Sequence, residues 1–231
     1  MRVYAGTSGY SYKEWKGTFY PADLPGAGML AHYAERLPAV EINNTFYRVP
    51  KRQVVEGWRA EVPAHFRFVL KATQRITHKK RLRDAGEELE YMLAQFAGME
   101  ERLGAVLYQL PPNAKQDLER LETFLALLPA SPRSAFEFRH ASWYDEATYE
   151  LLRARNCALV ASDSDEEGGV LVPTADWTYL RLRRESYAED ELAAWAERLR
   201  AGLWREAFVF FKHEDAGAGP RIAARFLELF A

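Results

Sequence analysis

The sequence predicts an α/β fold of the TIM type, a closed (β/α)₈ barrel formed by a single domain over residues 1–231. Eight short runs rich in Val, Phe, Tyr, Leu and Ala have the length and composition of strands. Segments with helical periodicity separate most of these runs, and this alternation is typical of a parallel sheet. The chain is rather short for a TIM barrel, whose typical length is about 250 residues. A doubly wound open sheet is therefore the alternative architecture.

The strand-like runs succeed one another along the whole chain. The first leads into GTSGYS, which lacks the GxGxxG fingerprint that an open nucleotide-binding sheet more often carries, and this favours the barrel. The eight runs are VYAGTS from Val3, AVEIN from Ala39, FRFVLKA from Phe66, GAVLYQL from Gly104, SAFEFR from Ser134, CALVASD from Cys157, TYLRLR from Thr178 and AFVFFK from Ala207.

The segments between the runs carry apolar residues at helical spacing. DLERLETFLALLP places its leucines on one stripe and stops at Pro129, and AEDELAAWAERLRAG ends before Gly202. The stretch 82–102 and DEATYELLRARN predict further helices, and GPRIAARFLELF has Pro220 where a first helical position is expected. The acidic, Gly-containing link 162–178 shows no full helix. The barrel is therefore expected to be slightly irregular, with a short or missing helix between strands 6 and 7.

Composition excludes several classes of protein. A net charge of −2 does not fit the broad positive field of a nucleic-acid binder, although a local basic groove remains compatible with it. Cys157 is the single cysteine, so no intramolecular disulfide forms. MRVYAGTSGY lacks the apolar stretch of a signal peptide, and no segment approaches the ~20 apolar residues of a membrane span. We expect a cytoplasmic protein with no membrane partner.

Polar residues stand at alternate positions near the ends of the strands. Glu41 and Asn43 alternate with Val40 and Ile42, so that the two pairs point to opposite faces. Since the apolar partners face the helices, the polar residues face the barrel axis at the carboxyl ends of the strands, where TIM barrels carry their sites. By the same reasoning the other inward residues are Lys71, Gln109, Glu137, Arg139, Asp163, Arg181, Arg183 and Lys212.

Two carboxyl groups on different strands make acid–base chemistry the leading hypothesis. Glu41 and Glu137 are the candidate catalytic acid and base, as in a glycosidase-like mechanism or a proton abstraction. Lys71 is the third catalytic candidate, as an acid or an imine-forming amine, with Arg139 and Arg181 orienting charge. Because cations slightly outnumber acids here, we expect an anionic or sugar-like small molecule and a hydrolase, lyase or isomerase. A structural ion pair between Glu137 and Arg139 is the alternative.

Other functions stay open at this point. No HExxH motif and no histidine spacing selects a metal, so no metal site or cofactor is predicted, with a bound ion left open. The basic run RITHKKRLR, 75–83, makes a nucleic-acid-binding or processing protein an alternative that is not favoured, because such runs are more often solvated. A non-catalytic ligand-binding protein would use the same cleft. HEDAGAGPR after the eighth strand fits a phosphate site or a simple loop equally well. The oligomeric state is not predicted.

Six motifs resemble those of the domain-of-unknown-function 72 family, also called YecE-like. They are GTSGYSYKEWKGTFYP, VEINNTFYRVP, FRFVLKATQRITH, LYQLPPN, FEFRHASWY and YLRLR, and together they cover nearly the whole chain. The resemblance implies a TIM barrel and the location of its site, and it implies no particular reaction. One departure concerns the end of the eighth strand, where many relatives have an Asn pair and this chain has Lys212, His213 and Glu214.

The motif positions complete the set of candidate ligand-binding residues. Tyr47 and Trp143 lie in loops whose aromatic rings could stack a sugar or base, or pack as a local hydrophobic cluster. The candidates are Ser8, Asn43, Tyr47, Gln109, Arg139, His140, Trp143, Asp163, Arg181 and Lys212.

Overall fold

Eight parallel strands close into a barrel in the order of the chain, with β1 paired to β8. The computed structural model describes residues 1–163, 169–212 and 217–231. The closed barrel and all eight predicted strands are thereby confirmed. The strands are β1 Arg2–Ser8, β2 Ala39–Ile42, β3 Arg67–Lys71, β4 Leu103–Gln109, β5 Ser134–Glu137, β6 Ala158–Ser162, β7 Trp177–Leu182 and β8 Glu206–Phe211.

Helices surround the barrel and connect most of its strands. They are α1 Met29–Ala34, α2 Arg52–Ala60, α3 Gly86–Phe96, α4 Leu118–Leu127, α5 Glu146–Ala154, α6 Glu189–Ala201 and α7 Ala218–Glu228. The described part of the link between β6 and β7, which includes 169–176, contains no helix, in agreement with its acidic, Gly-containing sequence.

Two helix boundaries differ from the sequence prediction. The segment 82–102 is not one helix, because Glu100 has a left-handed φ of 50° and only a 3₁₀ segment, Ala97–Arg102, follows α3. Helix α7 begins at Ala218, so Pro220 lies within its first turn rather than at its first position. The first-turn N–H groups of a helix have no intrahelical acceptor, and a proline there sacrifices no hydrogen bond.

The barrel axis is filled by packed side chains below its polar end. Tyr4 and Phe208 stack with ring centroids 5.1 Å apart, and Trp177 meets Phe208 edge-on at 5.9 Å. Smaller residues complete this inner cluster: Ala39, Val69, Ala105, Leu107, Ala135, Ala158 and Val160. A ligand therefore has no passage along the axis below the polar layer at the carboxyl ends of the strands.

The opposite faces of the strands pack beneath the helices, as the alternation predicts. Phe136 lies within the outer core beside Phe124 of α4, and Phe138 stacks on Trp143 at 4.4 Å between ring centroids. Burying such a ring stabilises the fold by roughly 1.5–3 kcal/mol. This packing holds β5 in the orientation that points Glu137 toward the axis.

A tyrosine hydroxyl joins the first two strands. The Tyr33 hydroxyl accepts a hydrogen bond from the Thr7 N–H at 2.8 Å and donates to the Ala39 carbonyl at 3.0 Å. Gly6 allows this close approach, because a Cβ at that position would stand 1.8 Å from the Ala39 oxygen. The register then places Ser8 beside Glu41.

The described residues include no helix with both the length and the apolar character needed to cross a bilayer.

Candidate active site

A buried ion network lies across the carboxyl end of the barrel. Arg181 of β7 donates from Nη2 to Glu41 Oε1 at 2.9 Å and from Nη1 to Glu137 Oε2 at 2.6 Å. The three residues are 2%, 0% and 1% exposed respectively. We call the surrounding polar layer the barrel mouth, and its residues are Ser8, Glu41, Lys71, Gln109, Glu137 and Arg181.

Glu41 is held as a carboxylate by several donors. They are Ser8 Oγ at 2.8 Å, Asn43 Nδ2 at 2.9 Å, Tyr179 Oη at 2.5 Å and Arg181 Nη2 at 2.9 Å. Burial by itself raises the pKa of Glu41, but the charges of Arg181 and Arg183, together with hydrogen bonds, outweigh it and lower the pKa to about 2. At neutral pH this carboxyl is ionised and has no proton to donate.

Glu137 is held in the same state. Its Oε1 accepts from Gln109 Nε2 at 2.7 Å and from Arg139 Nε at 3.2 Å. Burial raises the pKa of Glu137, but the charges of Arg181 and Arg139 and the donated hydrogen bonds lower it to about 2. The assignment of Glu41 and Glu137 as acid and base stays a prediction, and with such pKa values either could act as a weak base or through its charge.

Lys71 is the mouth residue that titrates closest to neutral pH. Its Nζ donates to Gln109 Oε1 at 2.6 Å and lies 4.4 Å from the centroid of the Phe46 ring. Burial lowers the pKa of Lys71, Arg181 lowers it further, and the two carboxylates only partly compensate, so the pKa is about 8. Just above neutral pH, Lys71 is therefore a neutral amine in a substantial fraction of the protein molecules.

His78 reaches the same region from a π-helical turn, Arg75–Lys79, which follows β3. Its ring meets the Phe46 ring edge-on at 4.7 Å between centroids, and its Nδ1 lies 3.0 Å from Thr77 Oγ1. The Thr77 hydroxyl donates to the Thr73 carbonyl at 3.2 Å, so it has no second proton to give. In the tautomer that keeps the hydrogen bond from Thr77 to Thr73, Nδ1 of His78 carries the hydrogen and Nε2 is the basic nitrogen.

The surroundings of His78 keep it neutral. Burial lowers its pKa, and the charges of Lys71, Arg139 and Arg81 lower it further. The segment that follows the π-helical turn is strained, because Arg81, Leu82 and Asp84 have φ values of 50°, 72° and 47°. Backbone strain of this kind is often found at functional sites.

Tyr179 was not among the site residues predicted from the sequence, and His78 was expected only as a family-motif position able to reach the mouth, without a catalytic or ligand-binding role. Tyr179 shares its strand face with Arg181, so the alternation in YLRLR could have indicated it. His78 lies in the motif FRFVLKATQRITH beyond the end of β3, where strand alternation carries no information.

Arg139 and Arg183 border the mouth on its solvent side. The Arg139 side chain is 41% exposed, and Arg183 donates from Nη1 to Ser8 Oγ at 3.0 Å. Burial and the charge of Arg181 lower the pKa of Arg183. Asn43 Oδ1 is buried and meets no hydrogen-bond donor within the described parts of the chain.

Other predicted ligand-binding residues have structural contacts. Asp163 accepts from the Arg183 N–H at 2.5 Å and from Tyr187 Oη at 2.5 Å, which ties the end of β6 to the segment after β7. Trp143 is buried, stacks on the helix side of β5 and donates from Nε1 to the Ala114 carbonyl at 2.7 Å. The structure therefore does not bring Trp143 to the mouth.

The remaining candidates are His140, Tyr47 and Lys212. His140 Nδ1 accepts from the Ser142 N–H at 3.2 Å and so caps the short helix that contains Trp143. Tyr47 is 73% exposed beside Phe46. Lys212 directly follows β8, and its N–H donates to the Leu182 carbonyl at 3.0 Å. His213, Glu214 and much of HEDAGAGPR lie outside the described residues.

Across the described ranges, no three His, Cys, Asp or Glu side chains are grouped as the ligands of a metal ion.

Fold and site together define the class, a TIM-type barrel protein with a buried ion network at the carboxyl ends of its strands. The chain belongs to the family described as Protein of unknown function DUF72, whose model matches residues 4–231. The resemblance of the six sequence motifs is thereby confirmed.

Two curated relatives are similar in sequence. The YecE protein of Escherichia coli is 29% identical over 149 residues, which cover 64% of this chain and 52% of YecE. The match thus spans about half the length of that relative. The YunF protein of Bacillus subtilis is 26% identical over an alignment of 270 positions, gaps included, which covers 98% of this chain and 94% of YunF.

Two solved structures are similar in fold. The crystal structure of a DUF72 family protein from Thermotoga maritima has a TM-score of 0.87 and 29% identity, and the match covers 100% of this chain and 99% of that chain. A DUF72 family protein from Enterococcus faecalis has a TM-score of 0.75 and 20% identity, with 99% and 97% covered. The second likeness supports the fold alone.

Proposed function

We propose that the protein is an enzyme that binds a small anionic or sugar-like molecule at the barrel mouth and acts on it by acid–base chemistry. The excess of cations at the mouth carries this proposal. Lys71, Arg139 and Arg183 surround a network in which Arg181 already bridges both carboxylates. Burial and, after it, the charge of Arg181 lower the pKa of both Lys71 and Arg183, so a bound anion would offset the repulsion between these cations.

The acid–base groups of this proposal are Lys71 and His78. The Lys71 amine, with its pKa of about 8, can exchange a proton near neutral pH, and His78 offers a basic Nε2 beside the same Phe46 ring. Glu41 and Glu137 act electrostatically in this proposal, because each stays ionised and pairs with Arg181. Their low pKa values suit that task better than proton donation.

Asn43 supports a ligand that carries a hydroxyl group. Its amide donates to Glu41 through Nδ2, while the buried Oδ1 is left without a donor from the described chain. Buried acceptors are normally paired, because an unpaired one costs about 1–3 kcal/mol. A ligand O–H donating to Asn43 Oδ1 would satisfy it, and this is why sugar-like molecules stay within the proposed substrate class.

The test is the thermal unfolding midpoint in the presence of small anions. Inorganic phosphate, pyruvate and glyceraldehyde 3-phosphate are titrated into wild-type protein, the double variant Arg139→Gln/Arg183→Gln and the control Arg205→Gln. Arg205 is a matched control because it is exposed and precedes β8 at the opposite end of the barrel. We expect at least one anion to raise the midpoint of the wild type and the control, less so at high salt, and not that of the double variant.

Equal shifts in all three proteins, or no shift with any anion, would contradict the proposed anion site. Catalysis is tested separately by turnover of the stabilising anion. Binding without turnover would leave the non-catalytic ligand-binding protein as the better description.

A nucleic-acid interface on the basic segment 75–83 has less support. Glu88 of α3 pairs with Arg75 at 3.5 Å and with Lys80 at 2.6 Å. This carboxylate removes part of the charge that a phosphate backbone would require.

A further inference from the structure

We infer that Lys71 is the nucleophile of the site and forms an imine with the carbonyl carbon of an anionic substrate. This inference rests on the proposed function and narrows its substrate class to anionic aldehydes and ketones, such as 2-oxo acids. Four features of the described chain carry it: the partner of the amine, its aromatic neighbour, the arginines nearby and the tautomer of His78.

The first feature is the neutral partner of the amine. Gln109 stands between Lys71 and Glu137, accepting from Lys71 Nζ with Oε1 and donating to Glu137 with Nε2. Both mouth carboxylates are committed to arginines, and no described carboxylate lies within ion-pair distance of Lys71. A structural lysine at a buried site is normally paired with an acid. This one is separated from the acids by an amide, which favours loss of its proton.

The second feature is the orientation of the amine. A neutral amine can still donate an N–H to Gln109 Oε1 at 2.6 Å, which fixes the nitrogen and leaves its lone pair directed elsewhere. The Phe46 ring, 4.4 Å from Nζ, limits hydration on one side. Thr45 Oγ1 donates to the Lys71 carbonyl at 2.6 Å and holds the end of β3 in place. The nucleophile is therefore positioned before any substrate arrives.

The third feature is the electrostatic surroundings. The charged groups that face Lys71 are Glu41, Glu137, Arg139 and Arg181, and the neutral, titratable His78 lies in the same region. Burial and the two arginines outweigh the two carboxylates and bring the pKa of Lys71 to about 8. The same arginines suit a substrate carboxylate or phosphate, because Arg139 is partly exposed and has hydrogen-bond donors beyond the Nε that binds Glu137. The anion would then hold the substrate carbonyl beside Lys71.

The fourth feature is a proton carrier. The nitrogen lone pair of Lys71 attacks the carbonyl carbon, a C–N bond forms, and the π electrons move to oxygen. His78 Nε2 accepts a proton from nitrogen and returns it to oxygen, which gives the carbinolamine. When the second nitrogen proton is passed on in the same way, the C–O bond breaks and water leaves with both amine protons. The product is a neutral imine, and no oxidant or reductant takes part.

The experiment traps this imine. Wild-type protein is incubated with pyruvate at about pH 8 and treated with sodium borohydride, which delivers hydride to the imine carbon and leaves a stable secondary amine. Intact-mass measurement and peptide mapping then locate the carboxyethyl group. Glyoxylate and glyceraldehyde 3-phosphate serve as second and third probes. Mapping is done on the wild-type protein, so the result does not depend on the folding of any variant.

We expect one saturable adduct, located on Lys71. It should be absent in Lys71→Arg and undiminished in the control Lys51→Arg, whose lysine is exposed. His78→Gln should slow adduct formation without changing its location, and Arg139→Gln should raise the pyruvate concentration needed for half saturation. Arg205→Gln should change neither the rate of adduct formation nor the pyruvate concentration needed for half saturation.

Two outcomes would overturn the inference. One is no adduct on Lys71 with any of the three probes, and the other is labelling spread equally over the exposed lysines or centred on Lys212. If anions still raise the unfolding midpoint through Arg139 and Arg183, the imine fails while the proposed function survives. If no anion binds either, both fail together.

Discussion

Glu137 is the last residue of β5 and Arg139 follows it two positions later, and such a pair of opposite charges would be costly in a dry core. The structure explains why it is tolerated. Glu137 is nearly inaccessible and accepts hydrogen bonds from three side chains, while Arg139 extends toward solvent. Each residue of the network is kept charged by the others, and removing one partner would leave a buried ion without compensation.

Acid titration should reveal this dependence. The pKa of Glu137 falls from 4.5 to about 2 on folding, so the unfolded chain binds more protons between these values. The stability that this carboxylate contributes is complete above about pH 4.5 and is lost as the pH falls toward 2, with a magnitude on the order of 3 kcal/mol. The measurement is the free energy of unfolding in urea at a series of pH values.

The comparison variants are Glu137→Gln and Glu119→Gln. Glu119 is an exposed residue of α4, so its variant should follow the wild-type curve. Glu137→Gln should be less stable at pH 7 and should approach the wild type as the pH falls. Parallel curves for wild type and Glu137→Gln would show that the carboxyl is not held ionised.

At the scale of elements, the site depends on the ends of the strands and on what aligns them. Strand alternation predicts which residues of β2, β5 and β7 point inward, because the side-chain period of a strand is two. The junction of β1 and β2 depends in addition on the Tyr33 hydroxyl and on the missing side chain of Gly6. The alignment of Ser8 with Glu41 is therefore an effect of three elements together.

Substituting two glycines should have opposite effects on stability. Gly6→Ala places a Cβ against the Ala39 carbonyl and should lower the free energy of unfolding by about 1–3 kcal/mol or more. Gly57→Ala, in the exposed middle of α2 with open space around it, should raise the free energy by about 0.5–1 kcal/mol. Denaturant unfolding of both variants checks this, and stabilisation by Gly6→Ala would contradict the close approach of β1 and β2.

At the scale of the molecule, closure is the main property of the sheet. The register of β1 with β8 extends from Arg2–Glu206 to Thr7–Phe211, so the first and last strands pair as fully as neighbours within the sheet. Closure removes the unpaired edges of an open sheet and brings residues from β2, β5 and β7 to one axis. The network around Arg181 exists only because of that convergence.

Hydrogen exchange should distinguish a closed barrel from an open sheet. We expect the amides of β1 and β8 to be as strongly protected from exchange as those of β4, because in a closed barrel all three strands have two neighbours. The amides of the loop 112–116 should exchange much faster. Mass spectrometry of peptides after deuterium labelling gives the measurement. Exchange of β1 or β8 at the rate of the loop would indicate a free edge.

The barrel, its eight strands and the inward direction of the mouth residues could be predicted from the sequence, because hydrophobic alternation and strand spacing are local properties of the chain. Those residues are Glu41, Lys71, Gln109, Glu137 and Arg181. The six motifs in the sequence also indicated the DUF72 family, to which the chain belongs. Helix boundaries near Glu100 and at α7 were less well predicted, since they depend on individual backbone angles.

Which of these residues touch depends on tertiary contacts. Arg181 bridges two carboxylates that are far apart in the chain, Gln109 separates Lys71 from Glu137, and His78 meets the Phe46 ring from a π-helical turn after β3. Trp143, in contrast, packs beneath the helices instead of at the mouth. The pKa of a group is set by its burial and by charges that are close in space, and neither can be read from spacing along the chain. For that reason spacing along the chain does not rank the three catalytic candidates, Glu41, Glu137 and Lys71, and the proposal that Lys71 is the nucleophile rests on contacts in space.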